Sequence, residues 1–460
     1  MKDILLVLSD QHAYPFTSFA DDRIETPAIG RVAQDGLCCD RCYCNAPLCV
    51  PSRMSLLTGK LPSELNIFNN DTVLPADIPT IAHAFGIAGY HTVLIGRMHF
   101  KGDEQKHGFD ERLAGDITSQ YWGTGGKART DFGVFAGTTN RKNCLKVVGG
   151  GCSPVMAYDE AVFQSAMDYL EKPHEEPPFL VVGFYAPHFP FVTQEEKYQK
   201  YLARFRADSL PQCQADPVYQ DYLQECTPER AIKCKAAYCG EVEILDSYIG
   251  QLYDRFRSTG RDPLFLYTSD HGEQLGKRAI FGKSTLYEEA IHVPLVMAGS
   301  GIQPGSRYHG CMSLLDLTKT LLHQAGIAAP WHHGTVIDWN ATPEAGAPIK
   351  IEQLLEYGDQ LIMAEAVLWD HYKAVRYGGK EIRLYDLDTD PDDLHPLDAP
   401  EILSRLSSRF LTRQQLDQCL TAERTHRQEQ AILTQWGKTK HPHEWAGFHV
   451  PAYARNLPKE

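Results

Sequence analysis

The sequence predicts an α/β fold: a large, mostly parallel central sheet flanked by helices, followed by a small C-terminal antiparallel sheet. Short apolar runs at residues 3–8, 90–95, 179–185, 264–268 and 292–297 alternate with helical stretches, the alternation of a βαβ chain. Several of those helical stretches begin at Thr-Pro or Pro-Thr and stop at Gly, which marks them as discrete elements. After about residue 330 the character changes, and residues 363–367, 372–376 and 382–385 read as alternating strands. At 460 residues the chain exceeds one ordinary core. A large part at 1–335 and a smaller α+β part at 336–460 are therefore expected.

Residues 3–8 form a buried strand that ends at Ser9-Asp10-Gln11-His12. Polar groups just past the carboxyl end of a strand are where open α/β sheets hold ligands. Residues 26–36 give a short helix with Thr26 as N-cap, Pro27 at its first position and Gly36 at its stop. A second strand at 38–43 leads into a loop around Cys49. There Pro51 is expected at the first helical position with Ser52-Arg53 beginning the helix, and a helix N-terminus favours an anion. Residues 79–89 are a helix, and 90–95 a strand that ends at Gly96-Arg97-Met98-His99-Phe100. Residues 103–155, rich in Gly, Thr and charge, are expected as long loops near the site, where substrate choice is often made. A helix at 160–170 precedes the strand at 179–185, which runs into Ala186-Pro187-His188. Residues 192–230 read as an insertion and 236–256 as a long amphipathic helix. The strand at 264–268 runs into Ser269-Asp270-His271-Gly272-Glu273; a strand at 292–297 and a helix at 314–325 come next. A turn at 385–391 and a helical stretch at 400–435 complete the C-terminal part.

Composition, 43% hydrophobic and 23% charged, is that of an ordinary soluble globular protein. A formal charge of −14 without a basic stripe argues against a nucleic-acid partner. An acidic chain that gathers Arg53, Arg97 and Lys283 would instead draw a small anion. No membrane segment is expected. The five-residue apolar run at 4–8 is too short for an export signal, so a cytoplasmic location and thirteen reduced cysteines are expected. Cys39-x-x-Cys42 has zinc-knuckle spacing, but no second pair accompanies it, and buried thiols are the expected reading. No spacing argument supports His12, His107 or His292, and structural roles are expected for them.

The run Cys49-x-Pro51-Ser52-Arg53-x-x-x-Leu57-Thr58-Gly59 resembles the signature of the formylglycine-dependent sulfatases. Five clusters at strand-to-loop junctions extend the likeness over essentially the whole chain: Asp10-Gln11, residues 49–53, residues 97–99, His188, and Asp270-His271 with Lys283. In fold the chain is similar to the alkaline-phosphatase-like superfamily, a sandwich of sheet and helices. Gly-Arg-Met-His-Phe and Ser-Asp-His-Gly-Glu look most like the choline-sulfatase and phosphonate-monoester-hydrolase branch, and Tyr-Asp-Leu-x-x-Asp-Pro at 385–391 is similar to its C-terminal subdomain.

The resemblance implies that Cys49 is oxidised to formylglycine. The hydrated aldehyde then has one hydroxyl to attack sulfur and a second through which sulfate is expelled. It also implies a maturation partner, a formylglycine-generating or anaerobic sulfatase-maturing enzyme. The metal ligands it implies are Asp10, Gln11, Asp270 and His271. Mainly oxygen donors point to Ca²⁺, and the imidazole leaves Mn²⁺ as the alternative. Many members carry a second Asp at position 11 and an Asn at 271, so this chain has one fewer negative charge and one nitrogen donor. Arg53, one helical turn beyond Cys49, would return toward the metal-bound anion. Arg97 and Lys283 would hold the sulfate oxygens; the family usually has Lys at position 97, and Arg fixes a planar fork there. His99 is the implied base of the second half-reaction, and His188 with Lys283 the implied source of the leaving group's proton. Asn70 resembles a sulfate-contacting Asn, with Asn69 beside it as the competing assignment. The expected function is hydrolysis of a small sulfate monoester. A phosphonate monoester hydrolase or phosphodiesterase with the same nucleophile is the alternative, and a non-catalytic anion-binding protein with unmodified Cys49 is the alternative from another class. Sugar, aryl and choline sulfates all fit the motifs, and no motif speaks to oligomeric state.

Overall fold

The structure is a computed structural model and describes residues 1–208, 213–258, 261–339, 346–444 and 447–456. The chain opens with β1 (Ile4–Asp10), α1 (Pro27–Asp35) and β2 (Leu37–Tyr43), then α2 (Cys49–Thr58) and the one-turn α3 (Pro62–Leu65). Helix α4 (Ile81–Ile87) leads into β3 (His91–Gly96) and the two-residue β4 (Glu111–Arg112). Next come β5 (Val148–Gly150), α5 (Pro154–Leu170), β6 (Pro178–Pro187), β7 (Phe191–Thr193), α6 (Glu195–Phe205) and α7 (Pro228–Arg257). After these lie β8 (Leu264–Ser269), α8 (Glu288–Ile291), β9 (His292–Gly299), β10 (Ser306–Ser313) and α9 (Leu314–Gln324). Strands β11 (Ile349–Tyr357), β12 (Gln360–Trp369), β13 (Tyr372–Tyr377) and β14 (Arg383–Asp386) precede α10 (Pro400–Ser407) and α11 (Arg413–Lys440).

The main sheet has eight strands in the order β10-β2-β9-β8-β1-β6-β3-β4. All neighbours are parallel except β9, which runs antiparallel to both β2 and β8. β1 is buried along its whole length, Ile-Leu-Leu-Val-Leu-Ser-Asp, because helices cover both faces. Leu6 and Leu8 face a cluster that includes Met54, Phe85 and Leu317 of α2, α4 and α9. Leu5 and Val7 face Ile29, Val162 and Leu245 of α1, α5 and α7. A separate antiparallel sheet, β11-β12-β13-β14, lies beyond. Its strand β11 joins the first cluster through Ile349, Ile351 and Leu355, and α11 packs on its far end through Leu416 and Cys419.

Several elements differ from the sequence reading, each for a local reason. Helix α2 begins at Cys49, two residues before Pro51. Pro51 still lies in the first turn, where its missing N–H leaves no bond unmade. Thr26 occupies the N-cap of α1 but makes no cap bond; its hydroxyl donates to Ser18 instead. The capping oxygens come from α7, where Asp246 accepts from Ala28 N at 2.9 Å and Ile29 N at 2.8 Å. Helix α5 starts at Pro154 behind a Ser153 cap, six residues before the expected 160. β10 and β11 escaped the sequence reading. β10, Ser-Arg-Tyr-His-Gly-Cys-Met-Ser, is an edge strand with a half-exposed polar pattern. Residues 400–435 are two helices separated at 408–412. The 192–230 segment contributes β7 and α6, which pack on α7; residues 209–212 of it lie outside the described residues.

Candidate active site

β8, β1, β6 and β3 are adjacent and parallel, so their carboxyl ends open on one edge of the sheet, where the N-terminus of α2 meets them. Close packing between β3 and β6 sets the position of Arg97. Arg97 N donates to Gly183 O at 2.8 Å, and any side chain at Gly183 would collide with the Arg97 carbonyl. Asp10 ends β1, Asp270 and His271 come directly after β8, and Cys49 is the first residue of α2.

At the centre, Asp10, Cys49, Asp270 and His271 each present one ligand atom, and these four atoms lie within 4.8 Å of one another. Each carboxylate divides its oxygens. Asp270 Oδ2 accepts from Arg53 Nε at 2.7 Å, and Asp10 Oδ2 accepts from Arg53 Nη2 at 3.3 Å and from Arg97 Nε. Their Oδ1 atoms face His271 Nε2, at 3.6 Å for Asp270 and 3.7 Å for Asp10. His271 Nδ1 donates to Gly272 O at 3.0 Å, so Nε2 carries the lone pair that a metal needs. Burial first, with Lys283 beside it, pushes His271 below its ordinary range, which keeps the imidazole neutral as a ligand must be. Two carboxylate oxygens and an imidazole nitrogen, all buried, are a donor set that fits a divalent cation. Gln11 stands beside the group. Its Oε1 accepts from Lys283 Nζ at 2.6 Å and its amide nitrogen donates to Glu273.

Around Cys49 Sγ lie Lys283 Nζ at 3.1 Å, His271 Nε2 at 3.2 Å and Asp10 Oδ1 at 3.6 Å. Burial, then Asp10, raises this thiol above its ordinary range, against the pull of Lys283. Burial also works to raise Asp10, but Arg97, Lys283 and Arg53 outweigh it and hold the carboxyl well below the usual range. Arg53, fully buried, spends Nη1 on Arg97 O at 2.8 Å.

Arg97 donates from Nη2 to His99 Nδ1 at 2.9 Å. Because a guanidinium only donates, Nδ1 accepts and the ring proton sits on Nε2. Burial, then Arg97, holds His99 neutral and well below its ordinary range. His188 Nδ1 donates to Phe189 O at 2.8 Å; burial, then Lys283, likewise keeps it neutral. Of the Asn69/Asn70 pair, Asn70 Oδ1 accepts from Val50 N at 3.0 Å in the first turn of α2, and Asn69 donates to Glu423 of α11 at 3.0 Å. Cys49, Asn70, Arg97, His99 and His188 all line one cavity of about 370 Å³. His12, His107 and His292 do not line it.

The sequence reading gave no role to two buried carboxylates, Asp116 and Glu273. Asp116 accepts from Arg97 Nη1 at 3.2 Å and from His99 N at 2.7 Å, and so holds the base candidate and its neighbour together. Its signal was a short one, the Asp-x-Thr turn in which Thr118 N and Oγ1 both return to Asp116. Glu273 accepts from Leu275 N as well as from Gln11. Tyr185, beneath Arg97 with the guanidinium 4.4 Å from its ring centre, carried no motif at all. All thirteen cysteines are free thiols, and the group at 38–44 is buried.

Comparison with known proteins gives the family. The sulfatase family model matches residues 2–327, and a model described as N-sulphoglucosamine sulphohydrolase, C-terminal, matches residues 276–418. A choline-sulfatase of Rhizobium meliloti is 31% identical over 430 residues, covering 85% of this chain and 81% of its own. An arylsulfatase K of Xenopus laevis is 26% identical, covering 85% and 78%. Among solved structures, the phosphonate monoester hydrolase of Agrobacterium radiobacter superposes with a TM-score of 0.71 at 19% identity, covering 93% of this chain and 96% of that one; this shows the alkaline-phosphatase-like fold. With a family match over most of its length and a ring of acids, histidines and cations closed around one buried cysteine, the chain belongs to the sulfatase family, hydrolases acting on sulfuric ester bonds.

Proposed function

We propose that this chain hydrolyses a small sulfate monoester, with Cys49 matured to formylglycine as nucleophile and a divalent cation at Asp10, Asp270 and His271, Gln11 standing beside them. The observation that carries the reading is Cys49 itself: a thiol that burial and Asp10 keep protonated, at the centre of a ligand and cation cluster it would serve poorly unmodified. The hydrated aldehyde would supply an oxygen nucleophile there, and the cation, Ca²⁺ before Mn²⁺, would favour its ionised form. Arg97 and Lys283 hold the sulfate oxygens and offset the charge that gathers on them in the transition state. Arg53 keeps Asp10 and Asp270 turned so that their Oδ1 atoms face inward. Asn70, its oxygen spent on α2, has an NH₂ left to donate to the sulfate. His99 takes the proton that releases sulfate. Sulfate oxygens compete with its Nδ1 for the Arg97 fork, which uncovers the lone pair when substrate is bound. The proton for the departing oxygen comes from the Lys283–His188 pair. A formylglycine-generating or anaerobic sulfatase-maturing enzyme must act first, and free thiols throughout support a reducing, cytoplasmic setting.

The test is hydrolysis by protein co-produced with such an enzyme. Faster release from 4-nitrophenyl sulfate than from a 4-nitrophenyl phosphonate ester is expected, lost on chelation and restored by Ca²⁺. Preference for the phosphonate ester would overturn the reading.

A further inference from the structure

Glu273, 0% exposed, closes the turn that follows β8 and also reaches across to the end of β1. Its Oε1 accepts from Leu275 N at 2.7 Å and from Gly282 N at 2.5 Å, and Gln274 N donates to Gly282 O at 2.8 Å beside them. These bonds fix the backbone of Gly282, the residue directly before Lys283. The other oxygen, Oε2, leaves the turn and accepts from the side-chain amide of Gln11.

Gln11 is held in a conformation it would not choose. Its φ of 73° lies in the left-handed region, where a side chain is strained. It is pinned there on several sides: Gln11 N donates to Asp270 Oδ1 at 3.1 Å, Gln11 O accepts from Tyr238 Oη at 2.6 Å, and the carboxamide lies between Glu273 and Lys283. Backbone strain of this kind concentrates where position matters. The carboxamide has a donor end and an acceptor end, and its neighbours decide which way it faces. Lys283 Nζ can only donate, so it takes Oε1 at 2.6 Å, and Glu273 takes the NH₂. The same ammonium stands 3.1 Å from Cys49 Sγ and 3.8 Å from Asp10 Oδ1. One carboxylate therefore holds Lys283 twice, through the backbone at Gly282 and through the Gln11 amide at Nζ.

We propose that Glu273 is a positioning residue for Lys283, acting through Gln11: it turns the Gln11 oxygen toward the ammonium and so holds Nζ against Cys49. This role rests on the sulfatase reading, in which Lys283 holds sulfate oxygens. In Glu273→Gln, Oε1 can still serve Leu275 N and Gly282 N, which leaves the new NH₂ facing the Gln11 NH₂. Gln11 then turns over, and its own NH₂ meets the ammonium, donor against donor. Adding Gln11→Glu puts a carboxylate between the two donors, which restores every bond at the same total charge.

The test compares full-length matured parent, E273Q, Q11E and the double variant, each with its melting temperature checked, by kcat/KM for 4-nitrophenyl sulfate in excess Ca²⁺. E273Q is expected to lose about ten- to a hundredfold, the usual cost of removing a group that orients a metal-site side chain. Q11E, with two carboxylates face to face, is expected to lose activity as well, and the double variant to exceed both singles. The rise in melting temperature given by inorganic sulfate reads Lys283 without turnover; it should shrink in E273Q and return in the double variant. E273Q within about twofold of the parent, or a double variant no better than the product of the two single losses, would overturn the inference. If E273Q alone does not fold, the double variant decides: folded and more active than Q11E it upholds the inference, and otherwise it overturns it. A parent that releases no sulfate would strike the sulfatase reading, while the sulfate-melting comparison, which needs no turnover, still judges Glu273.

Discussion

At Cys49, burial and Asp10 raise the thiol while Lys283 and Arg97 pull the other way, and Asp10 and Arg97 recur around both His99 and His188. His99 is the sharpest case, because Arg97 fixes which nitrogen bears its proton. If His99 takes the proton that releases sulfate, His99→Ala should show a burst of about one alcohol per site and then stall, as a two-step mechanism with a blocked second step does. Rapid-quench product counting reads this, and steady turnover without a burst would remove His99 from the role. At this scale the sequence was legible where chemistry lies in a contiguous run. Arg53 sits one turn from Cys49 and Asp270 beside His271, inside runs that resemble the family's motifs, so the resemblance pointed to them. Asp116 and Glu273 were not legible, since they act through Arg97, the His99 backbone and the Gln11 amide, partners far away along the chain.

The strands that carry the site were legible because β1, β6 and β8 are apolar at nearly every position, the pattern of strands covered on both faces. Helix starts were less so. Thr26 has the residue type of a cap and the right place for one, but α7 lies close enough to supply a carboxylate instead, and only the tertiary packing reveals that. Asp246→Ala is therefore expected to cost about 1–2 kcal/mol, the range for losing an N-cap, although the residue lies 217 positions or more from the helix it caps. A thermal melt checks it; an unchanged melting temperature would mean that Thr26 or water caps α1 as well. β10 was missed because an edge strand needs no alternation strong enough to read, and the direction of β9 because nothing local tells an antiparallel strand from a parallel one.

Across the whole molecule, buried histidines outside the site set a pH dependence of stability. His12, His107 and His292 are each pushed down to about 4, chiefly by burial. His292 is stacked between Tyr14 and Tyr43, with Nε2 donating to Asp40 O at 2.9 Å. A histidine depressed from about 6.5 stabilises the folded state above that value, and the contribution is lost as the pH falls through about 4. Buried acids such as Asp159 and Asp246 work in the opposite sense. Raised to about 7 and about 6 chiefly by burial, these two bind protons more tightly when folded and lose that contribution as the pH rises. The contribution of such histidines to the melting temperature is expected to fall as the pH drops from about 6.5 to 4.5. His292→Gln should flatten that slope by up to about 1.4 kcal/mol per pH unit. A melting series at pH 6.5, 5.5 and 4.5 decides it; an unchanged slope in the variant would mean that His292 titrates normally.

The α/β sandwich, its antiparallel C-terminal sheet and the convergence of Asp10, Cys49, Arg97 and Asp270 were all readable because each stands at the end of a recognisable strand or in a motif. The cavity wall was not, because Ser119, Gly125 and Thr434 come from loops and a distant helix that share no local pattern. The most direct measurement compares, across preparations with different degrees of maturation, the fraction of the Cys49 peptide that has lost about 18 Da with the rate of sulfate release from 4-nitrophenyl sulfate in excess Ca²⁺. A rate proportional to that fraction, and zero without conversion, is expected; sulfate release by wholly unconverted protein, or none from fully converted protein, would contradict it.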